Sequence, residues 1–415
     1  MPHELLWVIV ETLKYPAYFA WVLYCLLLVI GLLGFFGRTN RGDIRAKNVE
    51  IALVTIASRS VSSSLFEAIR HTRTNFPEIP FYLIVEYNAE LLSELKDLVS
   101  SQESVLSEGI QRKDSAALLP YSNSGIELVI IPPEYRLDLL GKGRAINFFI
   151  DNYVNRSKWY TFIDDDNLLL DDLFLYEISY FESKGYVVCN PVLVTRKGKS
   201  ALAHLMDNIR IFDDVSIFRL FTGMSQVPLL GLHGEGLTVK GEALIEIGFA
   251  RKTITEDFSF GNQIAKHHKI NKKAYRSWQS SSKVSIRSAN SLHDLLRQRG
   301  RWFKGIALDL RESPPEVKIV TGTRMILWVF SIFGSWTLSP LWIFWVNSQY
   351  WVFLFFIGGI GPFIIFGVLI MKNHANQQWY YIFLVPLYGI LEALTPWFVL
   401  LKMRKNNAFV VIDKN

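Results

Sequence analysis

Cysteine is nearly missing from this chain of 415 residues. Two are present, Cys25 and Cys189, far apart in sequence, so neither a disulfide framework nor a zinc site can be built from them. His233 has no second His or Cys at ligand spacing and reads as structural. No internal repeat recurs, which leaves nothing to mark a repeat architecture, and no long low-complexity tract is present. Strong charge of one sign is also lacking. The net charge is +6, much of the basic excess flanks apolar runs, and no nucleic-acid-binding motif occurs, so nucleic acid is not an expected partner.

What the chain has in excess is apolar residues, 50% of the total with twelve Trp, which is high for a soluble enzyme. Residues 15–36, YPAYFAWVLYCLLLVIGLLGFF, carry no charge, and about 20 such residues suffice to cross a bilayer. Arg38, Arg41, Arg45 and Lys47 follow, which places the downstream domain in the cytoplasm. A cleaved signal peptide is the competing reading, against which stands the lack of a small-residue cleavage site before the arginines. Three further apolar stretches lie at roughly 325–346, 351–371 and 380–401, with Trp and Tyr at several ends. One span before the domain and three after it would leave Lys402, Arg404 and Lys405 outside, against their charge. A re-entrant or interfacial last stretch, interrupted by Pro386, Glu392 and Pro396, would resolve the parity. The expectation is an integral membrane protein in three parts: an N-terminal membrane segment (1–42), a cytoplasmic domain (43–315) ending in an interfacial helix, and a C-terminal membrane region with a basic tail (316–415).

Within the middle part, NVEIALVTIA, PFYLIVEYN, IELVIIPP and KWYTFIDDD read as strands. SSSLFEAIRHTRTNF and GRAINFFIDNYVN read as the helices between them. This βαβ rhythm predicts an α/β domain with a mainly parallel sheet. Residues 97–122 read as a surface insertion. In such sheets ligands bind beyond the carboxyl ends of the strands, where VEYN (Glu86) and TFIDDDN fall.

Three consecutive aspartates at a strand end need a compensating group, because like charges repel and a buried carboxylate without a partner is costly. Asp164 and Asp166 are two apart, so an extended chain would aim both at one point, a suitable site for a divalent cation. The alternative is an acidic loop capping the next helix through Asp165, Asp166 or Asn167. Three later stretches share this ambiguity. ITED places Glu256 and Asp257 where a helix starts, which the helix dipole favours in any case. HGEG offers Gly234 and Gly236 for close backbone approach, or forms a plain turn. In LLRQRGRWFKG, a helix would place Gln298, Arg301 and Trp302 on one face, able to hold a diphosphate and stack a sugar or to sit at headgroup level.

Taken in order, IDDDN, TED and QRGRW, with apolar flanks, resemble the processive family-two glycosyltransferases of the cellulose synthase and hyaluronan synthase type. IPPEYRLDLLGKGRAINF, NIRIFDDVSIFRL and the FVVIDK tail look most like the egghead-type β-1,4-mannosyltransferases. The resemblance implies a nucleotide-diphospho-sugar transferase fold of the A type, flanked by transmembrane helices, and inverting hexose transfer from a GDP- or UDP-activated sugar. It implies Mg2+ or Mn2+ on Asp164 and Asp166, and Asp257, with Glu256 beside it, in the catalytic acid motif. Gln298 and Arg301 would meet the donor diphosphate. Trp302, with Gly234, Glu235 and Gly236, would line the acceptor site. Thr55, Ser58, Arg59, Asp165, Lys142 and Arg144 are candidate donor contacts, the last two being otherwise helix-start charges. Glu86 stands in for an acidic pair that the family carries after the second strand and this chain lacks.

The expected partners are a nucleotide-diphospho-sugar donor, a lipid or glycan acceptor and membrane lipids, and a homo-oligomer is left open. Transfer of a single sugar to a lipid-linked or glycolipid acceptor is preferred to polymerisation with export, because four spans are few for a polysaccharide channel. A catalytically silent scaffold with the same fold is the alternative from another class.

Overall fold

In a computed structural model of the chain, the described residues are 39–55, 63–87, 126–139, 141–249, 255–271 and 275–334. Short pieces within 30–37, at 253 and within 391–399, and isolated positions near the N-terminus, are also described. Strands β1 (Val49–Val54), β2 (Phe81–Glu86), β3 (Ile126–Ile131) and β4 (Trp159–Asp164), with helices α1 (Ser63–Asn75) and α2 (Gly141–Tyr153), fall on the stretches predicted for them. β1 and β2 are buried at every position, as apolar runs in a sheet covered on both faces require.

Alternation along these strands feeds two cores. Ile51, Leu53, Leu83 and Trp159 pack with Leu65 and Ile69 of α1, and with Phe174 and Ile178 of α3 (Leu173–Phe181). Ala52, Val54, Ile84 and Phe162 point the other way, against Ile146 and Phe149 of α2.

The sheet is mainly parallel, as expected, and also mixed: four of its seven pairings among the described residues are parallel and three antiparallel. Its order is β3-β2-β1-β4-β7-β6-β8-β5, completed by β5 (Leu168–Leu169), β6 (Tyr186–Arg196), β7 (Leu237–Lys240) and β8 (Arg276–Arg287). β7 runs against both its neighbours, and β5 runs against β8. Strand β7 leaves the turn at Gly236, whose φ of +71° suits glycine. A Cβ there would lie 2.5 Å from a Val284 methyl. The chain is thereby laid back along β4 before a short helix, α4 (Gly241–Ile247), carries it away.

Two segments after β6 complete the scaffold. Helix α5 (Ala201–Asp213), upstream of α4 in the chain, is capped by the Ser200 side chain and runs on into a π-helix over Asp214–Met224. Beyond β7, α6 (Glu256–Asn271), α7 (Leu292–Asp309) and α8 (Pro315–Gly334) follow.

Among the described residues no helix is long and apolar enough to cross a membrane. The stretches expected at 15–36, 351–371 and 380–401 lie largely or wholly outside those residues, and α8 enters the first ten positions of the stretch at 325–346. The 97–122 insertion and the FVVIDK tail also lie outside them.

Candidate active site

β1 stands between β2 and β4, so the strand order reverses there, and the crevice beyond the carboxyl ends of β1 and β4 is the expected ligand site. Asp164 ends β4, opposite Val54 of β1. The chain then turns, with the Asn167 N–H donating to the Asp164 carbonyl at 3.0 Å. The two carboxylates are therefore not aligned by strand alternation, as the i, i+2 spacing suggested. Asp165 and Asp166 are buried, whereas the Asp164 side chain is 28% exposed and is the one of the three that opens to the crevice.

The compensating cation is a lysine. Lys142, in the first turn of α2, is 6% exposed along its side chain, and its ammonium bonds the Asp164 carboxylate. It also donates to the Gly234 carbonyl at 2.7 Å. Burial works against its charge, but Asp164, Glu256 and Glu235 outweigh it, and its pKa is raised.

Around this ammonium the glycine-rich stretch and the start of α6 meet. The Asp257 carboxylate accepts from the Gly234 N–H at 3.0 Å and from the Phe258 N–H at 2.8 Å. Desolvation, then the nearby Glu235 carboxylate, raise the Asp257 pKa. Desolvation and Asp257 push Glu256 up to about 7. Two adjacent carboxylates poised this way can hold or release a proton near neutral pH, as a general base must.

Arg301, on α7, faces this pair closely enough to oppose the rise at Glu256. Gln298 is buried one turn earlier on the same helix. Trp302 is half-buried beneath two guanidinium groups, Arg210 at 5.0 Å and Arg299 at 4.6 Å from the ring centroid. Arg210 also holds Glu235 with both nitrogens at 3.2 Å. His233 bonds Asp214 at 2.6 Å, and Asp214 in turn accepts from the Leu193 N–H at 2.7 Å. That is the structural part expected of His233.

Of the remaining candidates, Glu86, Arg144 and Thr55 are held by partners within the protein. Glu86 is paired with Arg144, whose guanidinium also donates to the carbonyls of Tyr135, Pro132 and Pro133. These two pin the IPPEYR loop to the end of β2. The Thr55 hydroxyl donates to the Ile84 carbonyl at 3.0 Å. Ser58 and Arg59 lie outside the described residues.

Sequence reasoning missed Arg210, Asp207 and Asp214 as site residues, although NIRIFDD was noticed. Their i, i+3 and i+7 spacing on one helix face was the available signal. Asp207 accepts from Arg299 at 3.0 Å, so this face of α5 organises the QRGRW helix from behind.

Among the described residues no three His, Cys, Asp or Glu gather as a self-sufficient metal site. Asp164, part-exposed at the end of β4, is a hard oxygen ligand of the kind that Mg2+ or Mn2+ takes together with phosphate oxygens and water, whereas Asp166 is buried beyond the turn.

The comparisons with known proteins agree with this architecture. A β-1,4-mannosyltransferase of Caenorhabditis elegans, bre-3, is 24% identical over 238 residues, 55% of this chain and 50% of the relative. The Drosophila melanogaster β-1,4-mannosyltransferase egh is 24% identical over 218 residues, 49% of this chain and 46% of the relative. The chain thus spans about half the length of the curated relatives it matches. Among solved structures, the mannosyltransferase PcManGT from Pyrobaculum calidifontis, in complex with GDP-Man and Mn2+, superposes with a TM-score of 0.52. It is 13% identical, with 94% of this chain and 99% of that one covered, and the likeness shows the fold, a nucleotide-sugar transferase of the A type. The family model described as glycosyl transferase family group 2 matches residues 159–391, from β4 past the QRGRW helix, and the chain belongs to that family of glycosyltransferases.

Proposed function

We propose that the protein is a membrane-bound, inverting β-glycosyltransferase that moves a hexose from a nucleotide-diphospho-sugar to a glycolipid or lipid-linked acceptor, with GDP-mannose as the first donor to try. The observation that carries this reading is the convergence on Lys142. One buried ammonium joins the strand-end Asp164 to the glycine-rich stretch, and Glu256 and Asp257 lie within its field. That convergence would bring donor-side and acceptor-side chemistry together in one crevice. The mannosyltransferase names of the matched relatives support the choice of sugar. The apolar runs at 15–36 and beyond 325 support the membrane setting.

Asp257 takes the proton from the acceptor hydroxyl as that oxygen attacks the anomeric carbon. The bond from that carbon to the diphosphate oxygen breaks, and the nucleoside diphosphate leaves with the electron pair. A single displacement inverts configuration, whereas retention through a covalent intermediate requires a second carboxylate placed as nucleophile. Lys142, Arg301 and Gln298 would meet the departing diphosphate. Mg2+ or Mn2+ held by Asp164 and Asp166 would add neutralisation of that growing charge. Trp302, which lies under Arg210 and Arg299, would form the floor of the acceptor site.

The test is nucleotide release by the purified protein in detergent, screened over GDP- and UDP-activated sugars with Mg2+, Mn2+ or EDTA. Release from one donor, abolished by EDTA and restored by the metal, is expected. No release from any donor, with lipid extracts supplied as acceptors, would overturn the reading.

The acid limb of the pH profile carries a second expectation. The raised pKa values of the Glu256 and Asp257 pair predict that kcat/KM rises with pH up to the neutral range. Glu235→Gln removes a negative neighbour and so eases ionisation of Asp257, moving that limb to lower pH. A limb that stays in place, or moves up, would contradict the assignment.

A further inference from the structure

Asp309, the last residue of α7, is set against ordinary helix preference. A carboxylate at a helix C-terminus faces the negative end of the macrodipole, which disfavours it, and desolvation further raises its pKa. The group is nevertheless held firmly. One oxygen, Oδ2, accepts from the Thr253 hydroxyl at 2.6 Å and from the Thr255 hydroxyl at 2.8 Å. The Thr253 hydroxyl also accepts from the Thr255 N–H at 3.2 Å. One turn before Asp309, Gly305 lets the helices touch, since a Cβ there would lie 2.5 Å from the Thr255 methyl. These contacts converge on Thr255, the residue immediately before Glu256 and Asp257.

We propose that Asp309 is a positioning residue that locks the start of α6, with the acid pair, to α7, with Gln298, Arg301 and Trp302. The inference rests on the glycosyltransfer reading above. Eight residues separate Arg301 from Asp309, about 12 Å along a helix. Helix α7 is thus a rod with the diphosphate and acceptor residues near its middle and the latch for the base at its end. An acid pair shifted by a fraction of an ångström would still bind donor, because the donor-side groups sit elsewhere, but it would meet the acceptor hydroxyl badly. The donor-side groups are Lys142, Asp164, Gln298 and Arg301. The signature is a loss in turnover at unchanged donor affinity, which a general loss of fold would not give.

The experiment compares Asp309→Ala, Asp309→Asn and Thr255→Val in the full-length protein. It measures kcat, donor KM and hydrogen exchange over 255–260. Asp309→Ala should lower kcat by about 100-fold, the scale of a small misplacement in a reacting pair, with donor KM within about twofold of wild type. Asparagine keeps an acceptor oxygen for both hydroxyls, so Asp309→Asn should recover most of the loss. Adding Thr255→Val to Asp309→Ala should cost little more, because both changes cut the same link. Exchange at 255–260 should rise in Asp309→Ala while exchange over β1 and β4 does not. If exchange at 255–260 stays at the wild-type rate, or rises equally in β1 and β4, the latch is wrong whether or not the reaction is as proposed. If exchange rises locally but kcat holds within about threefold, the latch exists and its positioning role is overturned. Wild-type nucleotide release is the control that tests the functional reading itself.

Discussion

Asp257→Asn should abolish sugar transfer while leaving nucleotide binding intact. The substitution keeps an oxygen able to accept from the Gly234 N–H, which Asp257 now binds at 3.0 Å, so the glycine-rich stretch and Lys142 retain their positions. What is lost is the capacity to take a proton. Removal of a positioned general base costs roughly a hundred- to ten-thousand-fold in rate, and that loss should fall on kcat with donor affinity little changed. Glu256→Gln is the necessary comparison. Glu256 also has a raised pKa, about 7, and could be mistaken for the base on that ground alone. Asp257, however, has its carboxylate oriented by two backbone amides, and orientation counts before pKa in choosing a base. A Glu256→Gln variant with the greater loss would reverse the assignment. A transfer rate in Asp257→Asn close to wild type would remove Asp257 from the chemistry.

Legibility in the sequence followed how locally each element is determined. Strands β1 to β4 announced themselves because each is a short, largely apolar run rich in Val, Ile and aromatic residues, and helices α1 and α2 because each carries an apolar stripe. Strand β8 could not be read in this way. Its RSWQSSSKVSIR run is dominated by serines, of which Ser277, Ser280, Ser282 and Ser285 are buried. They are tolerated because distant groups satisfy them: the Ser277 hydroxyl donates to the Thr222 carbonyl, and that of Ser282 to Asp171. The Ser281 N–H and the Trp278 indole both donate to Glu177.

Strand β6 was hidden by Pro191, which the sheet accommodates at a register irregularity between Asn190 and Val192. Without β6 and β8 the antiparallel insertion of β7 was out of reach. The site divided along the same line. The acidic stretches and QRGRW, to which the proposed chemistry is assigned, are each contiguous in sequence and so stood out as motifs. Arg210 and Asp309 bond partners about 25 to 90 positions away in sequence; the spacing of Arg210 from Asp207 and Asp214 was the one local signal for it, and Asp309 had no comparable signal beside it.

Lys142→Met should be the most destabilising single change in the crevice, and its effect should depend on pH in a defined direction. The wild-type ammonium is almost wholly buried, bonds Asp164 and Gly234, and offsets Glu256 and Glu235. Methionine fills a similar volume without charge, so the carboxylates lose their shared counter-ion. Removing one partner of a buried pair costs about 3–5 kcal/mol, because the remaining charge stays buried. The carboxylates can escape part of this by taking up protons. Their native pKa values, already raised in Glu256 and Asp257, would rise further, so the folded variant binds more protons than the unfolded chain across that interval. Stability then falls as pH rises through it. The deficit against wild type should therefore be small near pH 5 and largest above neutrality, read as thermal unfolding of the detergent-solubilised protein at several pH values. Lys142→Arg, which restores the charge with a bulkier head, should recover part of the stability. A Lys142→Met variant as stable as wild type above neutral pH would mean that the carboxylates do not depend on this lysine. The ordering of the crevice around Lys142 would then have to be abandoned.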